Sequence, residues 1–154
     1  MNDNRTKWIV TVDARGGRLV RCRPVPPGRW HADEIDRVAN AWERFHEHHR
    51  PDAISLKGGD QVAGYAFGSD GHADEEMLRR FAKDATVWLE RIVDEHAIQS
   101  LDLFAPPRTL GALRAAISKP LAARLSQHEG NLNNIPIGDL PDHAAVSSLI
   151  GAER

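Results

Sequence analysis

The sequence predicts an α/β domain, a mixed β-sheet with helices packed on its faces. Three observations carry this. Compact apolar runs at residues 8–12 and 101–105 read as strands. Apolar residues recur at helical spacing elsewhere, most clearly at Met77, Leu78, Phe81, Ala85, Trp88, Leu89 and Ile92. The chain of 154 residues also fits one domain and can bury a sizeable core.

Each element follows from local chemistry. Trp8 to Val12 is rich in β-branched residues and ends at Asp13, and Arg18 to Arg23 alternates. With Asp13, Ala14, Arg15, Gly16 and Gly17 between them, these runs predict a β-hairpin in which Gly16 and Gly17 supply positive φ. Pro24, Pro26, Pro27 and Gly28 end its second strand. Over residues 33–48, Ile35, Val38, Ala39, Ala41, Trp42 and Phe45 fall at helical spacing among charges. They predict an amphipathic helix on the sheet, stopped at Pro51. Residues 55–72 hold five of the twelve glycines and little periodicity, so they read as a long loop. Asp74 then caps a helix to about residue 97. Leu101 to Ala105 is near-continuously apolar, as expected of a central strand covered on both faces. A helix follows from about Thr109 to Ile117, and another opens after Ser118 with Pro120 in its first turn. Residues 124–129 fit either the end of that helix or a further strand. Asn131 to Asn134 reads as a polar turn, and Pro136 to Leu149 as a short, broken helix. Residues 1–154 are read as a single domain without repeats.

Composition excludes several classes. The 20 Lys and Arg against 22 Asp and Glu give a net charge of −2, with no global pull toward nucleic acid or an anionic membrane. The single cysteine, Cys22, cannot form an intrachain disulfide and reads as a small core or half-buried residue rather than a reactive thiol. The polar N-terminal residues lack the apolar core of a signal peptide. No apolar stretch approaches the length of a bilayer span. The expectation is a cytoplasmic protein with no membrane partner. An exposed sheet edge would suit self-pairing into a homo-oligomer.

Two stretches give the chain a family likeness. Residues 104–114 (FAPPRTLGALR) follow a strand, and Arg79, Arg80, Phe81 and Ala82 sit on the preceding helix. Weaker matches lie at residues 8–13 (WIVTVD), at Gly17, Arg18 and Leu19, and near Leu140 and His143. On these residues the chain resembles the bacterial host attachment family, whose members are described as proteins required for attachment to host cells. That family is in turn similar to the middle domain of archaeal and eukaryotic peptide-chain release factors. The resemblance implies a ribonuclease H-like sandwich in which a mobile loop carries Gly-Gly-Gln to the ribosomal peptidyl-transferase centre. Here the run is Gly58, Gly59, Asp60, Gln61, with glutamine one place late. Where many members carry Lys-Asp-Leu-Thr near the end, this chain has Gly130, Asn131, Leu132 and Asn133.

The candidate sites are few. At Pro106 to Thr109, free N–H groups of a helix start beside Arg108 would suit a small anion or nucleotide. The plainer reading has Thr109 capping the helix and Arg108 pairing with an acid. Gly111 is read as allowing close helix-to-sheet packing, and Arg114 joins Arg108 and Thr109 as a candidate binding residue. Gly58, Gly59, Asp60 and Gln61 are the candidate contact for ribosome or tRNA, against an ordinary glycine-bearing surface loop. His46, Glu47, His48 and His49 suggest zinc, but Arg50 stands where the helical zinc pattern requires histidine, and a solvated helix end is preferred. Glu75/Arg79 and Glu76/Arg80 read as i, i+4 pairs on a solvent face with Lys83 and Glu90. Asp13 reads as a hairpin-turn aspartate, because Asp60, Asp70 and Asp102 have no pattern that brings them to it. Trp8, Trp30, Trp42 and Trp88 read mostly as core. No catalytic constellation, metal site or cofactor motif emerges. The expected function is a non-enzymatic binding module with its partner unspecified, with a ribosome- or tRNA-contacting role and an anion sensor at Arg108–Thr109 as alternatives.

Overall fold

In the computed structural model, residues 5–42 and 59–151 are described, with side chains given except over 59–72. Strand β1 (Lys7–Asp13) and strand β2 (Gly16–Val25) form the expected hairpin, in register from Lys7 opposite Cys22 to Asp13 opposite Gly16. The Asp13 carboxylate accepts the Arg15 backbone N–H at 2.8 Å and closes the turn, as a turn aspartate does. Gly16 has φ +157°, and a Cβ there would lie 2.4 Å from the Val38 carbonyl oxygen. Gly17 differs from expectation. Its φ is not positive, and what it needs is room, since a Cβ would approach Val12 Cγ2 to 3.0 Å.

Strand β3 (Arg29–Ala39) pairs antiparallel with β2 after the turn at Pro26, Pro27 and Gly28. Pro24 lies inside β2 and pairs with Trp30, one residue before that strand ends. The helix expected over 33–48 is therefore a strand as far as Ala39. Helical backbone appears at Ala41 and Trp42, and residues 43–48 lie outside the described residues. The cause is a β-bulge. Val20 pairs with Glu34 but Leu19 with Asp36, leaving Ile35 as an extra residue. A bulge resets the two-residue alternation, so Ile35 and Val38, three apart, both pack on the same core cluster. In sequence that spacing mimics a helix.

Helix α1 (Gly59–Glu95) is 37 residues long. The loop expected over 55–72 is thus helical from Gly59, and Asp74 is an interior residue and not a cap. Residues 55–58 lie outside the described residues. Glycine costs a helix only about 1 kcal/mol per residue relative to alanine, and no proline interrupts the chain between Pro51 and Pro106. The strong apolar ladder downstream is expected to carry the glycine-bearing turns with it. That ladder, Leu78, Phe81, Ala82, Ala85, Trp88, Leu89, Ile92 and Val93, is buried. The helix ends with Ala97 at φ +50° and Ile98 donating to the Val93 carbonyl at 2.9 Å. Arg79 pairs with Glu76 at 2.6 Å and not with Glu75, while Arg80 meets Glu76 at 3.0 Å as expected.

Strand β4 (Leu101–Ala105) is buried throughout. Helix α2 (Pro107–Ala116) and the short helix α3 (Lys119–Ala122) follow, with Ser118 capping α3 through the Leu121 N–H. Residues 125–129 resolve as strand β5 (Leu125–Glu129). A 3-10 helix (Ile137–Asp142) and helix α4 (Ala144–Gly151) complete the chain. The sheet order is β3-β2-β1-β4-β5, with β4 parallel to both β1 and β5. It is the mixed sheet the sequence predicts.

The sheet buries both faces. One face packs Val10, Val12, Leu19, Leu101 and Leu103 against α1, α2 and α3. The other packs Ile9, Val20, Cys22 and Phe104 against Leu132, Leu140, Val146 and Ile150. Asp36 ties β3 to α1, accepting from the Trp88 indole at 3.1 Å and from Arg91 at 3.3 Å. Burial alone would raise its carboxyl, but these bonds and the Arg37 N–H hold it below the usual range. Trp88 is buried, and Trp8 and Trp30 are half-buried against the core. Trp42 departs from the core reading: it is exposed, with the Arg80 guanidinium 4.8 Å over its ring. Among the described residues no helix is long and apolar enough to cross a membrane.

Candidate functional site

Strands β1, β4 and β5 run parallel, so Asp13, Ala105 and Glu129 end at one edge of the sheet. In open α/β sheets this carboxyl edge is where ligands gather. The chain leaving β5 crosses that edge. Gly130 N–H donates to the Ala105 carbonyl at 2.9 Å, and residues 131–134 then reach β1. Asn133 accepts from the Thr11 hydroxyl at 2.9 Å and donates to the Gly16 carbonyl at 3.1 Å. The polar turn is therefore a clamp on the β1–β2 hairpin.

Beside this clamp lies a cleft of about 320 Å³, lined by Asp13, Arg15, Arg18, Arg37, Asn133 and Asn134 among others. Arg18 and Arg37 face each other across the β2–β3 pair. The Arg18 Nε donates to Thr11 Oγ1 at 3.1 Å, and Nη2 to the Leu132 carbonyl at 2.8 Å. Arg15 Nη2 donates to Asn134 Oδ1 at 3.2 Å. Burial lowers the Arg18 pKa, with Arg37 adding to that effect and Glu34 and Asp13 opposing it. Arg37 is held charged by Glu34, which it meets at 2.8 Å. A larger hollow of about 700 Å³ lies at the other end of the sheet. Several of its polar groups are already joined: Ser118 to Glu90 at 3.3 Å and Arg124 to the Ile98 carbonyl at 2.8 Å.

The sequence-predicted residues fall elsewhere. Arg108 is exposed at the start of α2 and has no acidic partner among the described residues, so the expected ion pair is absent there. Thr109 does not cap α2. The N-cap is Pro106, without a side-chain bond, and Thr109 is buried. Two prolines fix the entry φ, so the helix starts two residues early and carries Thr109 inward. Arg114 donates to Gln127 at 2.6 Å and ties α2 to β5. Gly111 is exposed, with open space where a Cβ would stand, because it lies on the helix face away from the sheet. Gly59, Asp60 and Gln61 form the first turn of α1, and Gly58 lies outside the described residues. The histidines at 46, 48 and 49 are likewise outside them. Of the described candidates, Arg108, Thr109, Gly111 and Arg114 do not line the cleft.

Asp13 and Asp102 stay apart. Asp102 pairs with Ile9, four residues from Asp13 along β1, roughly 13 Å at strand rise. Asp102 instead accepts from His128 at 2.9 Å, and the His128 ring stacks on Phe104 at 4.7 Å, joining β4 to β5. Among the described residues no group of three or more His, Cys, Asp or Glu could hold a metal ion. Arg15, Arg18, Asn133 and Asn134, which line the cleft, carry no ligand-binding motif in the sequence. The only local signals were a hairpin turn and a polar turn more than a hundred residues apart.

Fold and site together define a mixed-sheet α/β domain with a cationic cleft at its carboxyl edge. The family described as "Protein required for attachment to host cells" matches residues 8–137, and the chain belongs to it. The matched region takes in the sheet from Trp8 onward and the clamp at Asn131–Asn134. No curated protein matches the chain.

Proposed function

We propose that the protein is a non-enzymatic binding module of the host attachment family that meets its partner at the carboxyl edge of its sheet. One observation carries this reading: the cleft there is walled by guanidinium and amide groups from the β1–β2 hairpin, β3 and the segment after β5. Such groups orient and hold a partner. The reading takes the protein as cytoplasmic, so that attachment is a phenotype of the cell and the direct partner is internal. Replacing Arg15 with glutamine in the producing bacterium is expected to lower attachment toward that of a strain lacking the protein. Full attachment by the R15Q strain, beside loss in the deleted strain, would place the working surface elsewhere.

A translation-linked role is the second reading. The five-stranded mixed sheet with helices on its faces accords with the ribonuclease H-like arrangement that the release-factor resemblance implies. This is an argument from fold alone. The helical setting of Gly59, Asp60 and Gln61 weighs against a loop-borne tripeptide. Co-sedimentation with ribosomes at low salt would support the role, and its absence would remove it.

A further inference from the structure

Six arginines among the described residues pair with carboxylates. Glu76 takes Arg79 and Arg80, Asp33 takes Arg21 and Arg23, Glu34 takes Arg37, and Asp36 takes Arg91. Arg15 and Arg18 do not: among the described residues neither guanidinium touches a carboxylate. Both are held by neutral oxygens, those of Thr11, Leu132 and Asn134. Neutral anchors fix a guanidinium without cancelling its charge. Of its five N–H groups, Arg18 commits one on Nε and one on Nη2, which leaves both on Nη1 and one on Nη2.

We propose that the cleft at the end of β1 binds a tetrahedral oxyanion of the phosphate class through Arg15 and Arg18. The proposal rests on the reading of the carboxyl edge as the working surface and names its ligand. The two guanidiniums come from the hairpin turn and from β2, and Asn134 from the segment after β5. Donors from several segments suit a tetrahedral anion better than a planar carboxylate, which one guanidinium fork can satisfy. The cleft is at the small end for ligand sites. Its guanidiniums, Arg15, Arg18 and Arg37, face two carboxylates, Asp13 and Glu34. The small net positive charge suits one phosphate group and opposes a polyphosphate. The start of α2, with Arg108, is a separate place and carries no such anchored pair.

The test uses the full chain, titrated calorimetrically with inorganic phosphate and with adenosine 5′-monophosphate. Acetate and chloride at equal ionic strength are the controls. Phosphate is expected to bind and to raise the Tm where acetate and chloride do not. R15Q is expected to weaken binding about ten-fold or more, the loss of a charged hydrogen bond. R18Q should do the same. Because Arg18 also anchors Leu132, R15Q decides the matter if R18Q fails to fold. R108Q is expected to bind as the wild type does. Tighter binding of the nucleotide assigns a phosphate monoester, and equal binding assigns free phosphate. A response no greater than that to chloride, or wild-type affinity in R15Q, overturns the proposal, as does loss confined to R108Q. If phosphate fails to bind while R15Q still lowers attachment, only the ligand class falls and the carboxyl-edge reading stands.

Discussion

Cys22 is fully enclosed on β2, and burial, with the Asp33 carboxylate adding to it, pushes its thiol from 9.0 up to about 11. Between those values the unfolded chain gives up a proton that the folded chain keeps. This contribution to stability is therefore complete below about pH 9 and is lost as pH rises toward 11. At pH 8 the native thiol should react with a disulfide reagent only as fast as the protein opens, and fast in denaturant. Reaction of the native protein at the rate of a free thiol would show that Cys22 is not enclosed. At this scale the sequence was informative. A small residue in the alternating strand of a hairpin already reads as core or half-buried, and the structure decides for the core; Asp13 already reads as a turn residue.

At the scale of elements, two glycines make opposite predictions. At Gly111, exposed on α2 with open space around it, alanine restores helix propensity and should stabilise the protein by about 1 kcal/mol. At Gly16, a Cβ meets the β3 backbone at 2.4 Å, and alanine should cost about 2 kcal/mol. Urea unfolding of the two variants checks both signs. Equal shifts would mean that the β2–β3 approach is not close. The elements were legible where their period was undisturbed. The ladder of α1 from Leu78 to Val93, the run of β4 and the β1–β2 hairpin needed no partner to be recognised. β3 was not legible, because its bulge at Ile35 exists only opposite Leu19 and Val20. The early turns of α1 were not legible either, since residues 59–72 hold four glycines and little apolar periodicity.

For the whole molecule, the two faces of the sheet are covered unequally. One carries α1, α2 and α3, while the other depends on the segment from Leu132 to Ile150. Leu140, Val146 and Ile150 are buried there. At roughly 1.5–3 kcal/mol for each such side chain, their loss is comparable with the stability of a whole domain, about 5–15 kcal/mol. A chain ending at Ile135 should therefore unfold without a sharp transition, bind an apolar dye and expose Cys22 to modification. Cooperative unfolding with Cys22 still protected would show that the last segment is dispensable.

The sequence by itself determined the α/β class, the hairpin, β4 and the apolar face of α1, because each is written in neighbouring residues. It also carried the family likeness that the match over residues 8–137 bears out. Only the tertiary structure decided that residues 33–39 form a strand, since a bulge is defined by the strand it faces. Only the tertiary structure assembled the cleft, because Arg15 and Arg18 meet Asn133 and Asn134 where the end of β1 faces the exit of β5. No local pattern spans that distance in the chain. The parallel arrangement of β1, β4 and β5 brings their carboxyl ends together, and with them the side chains of the site.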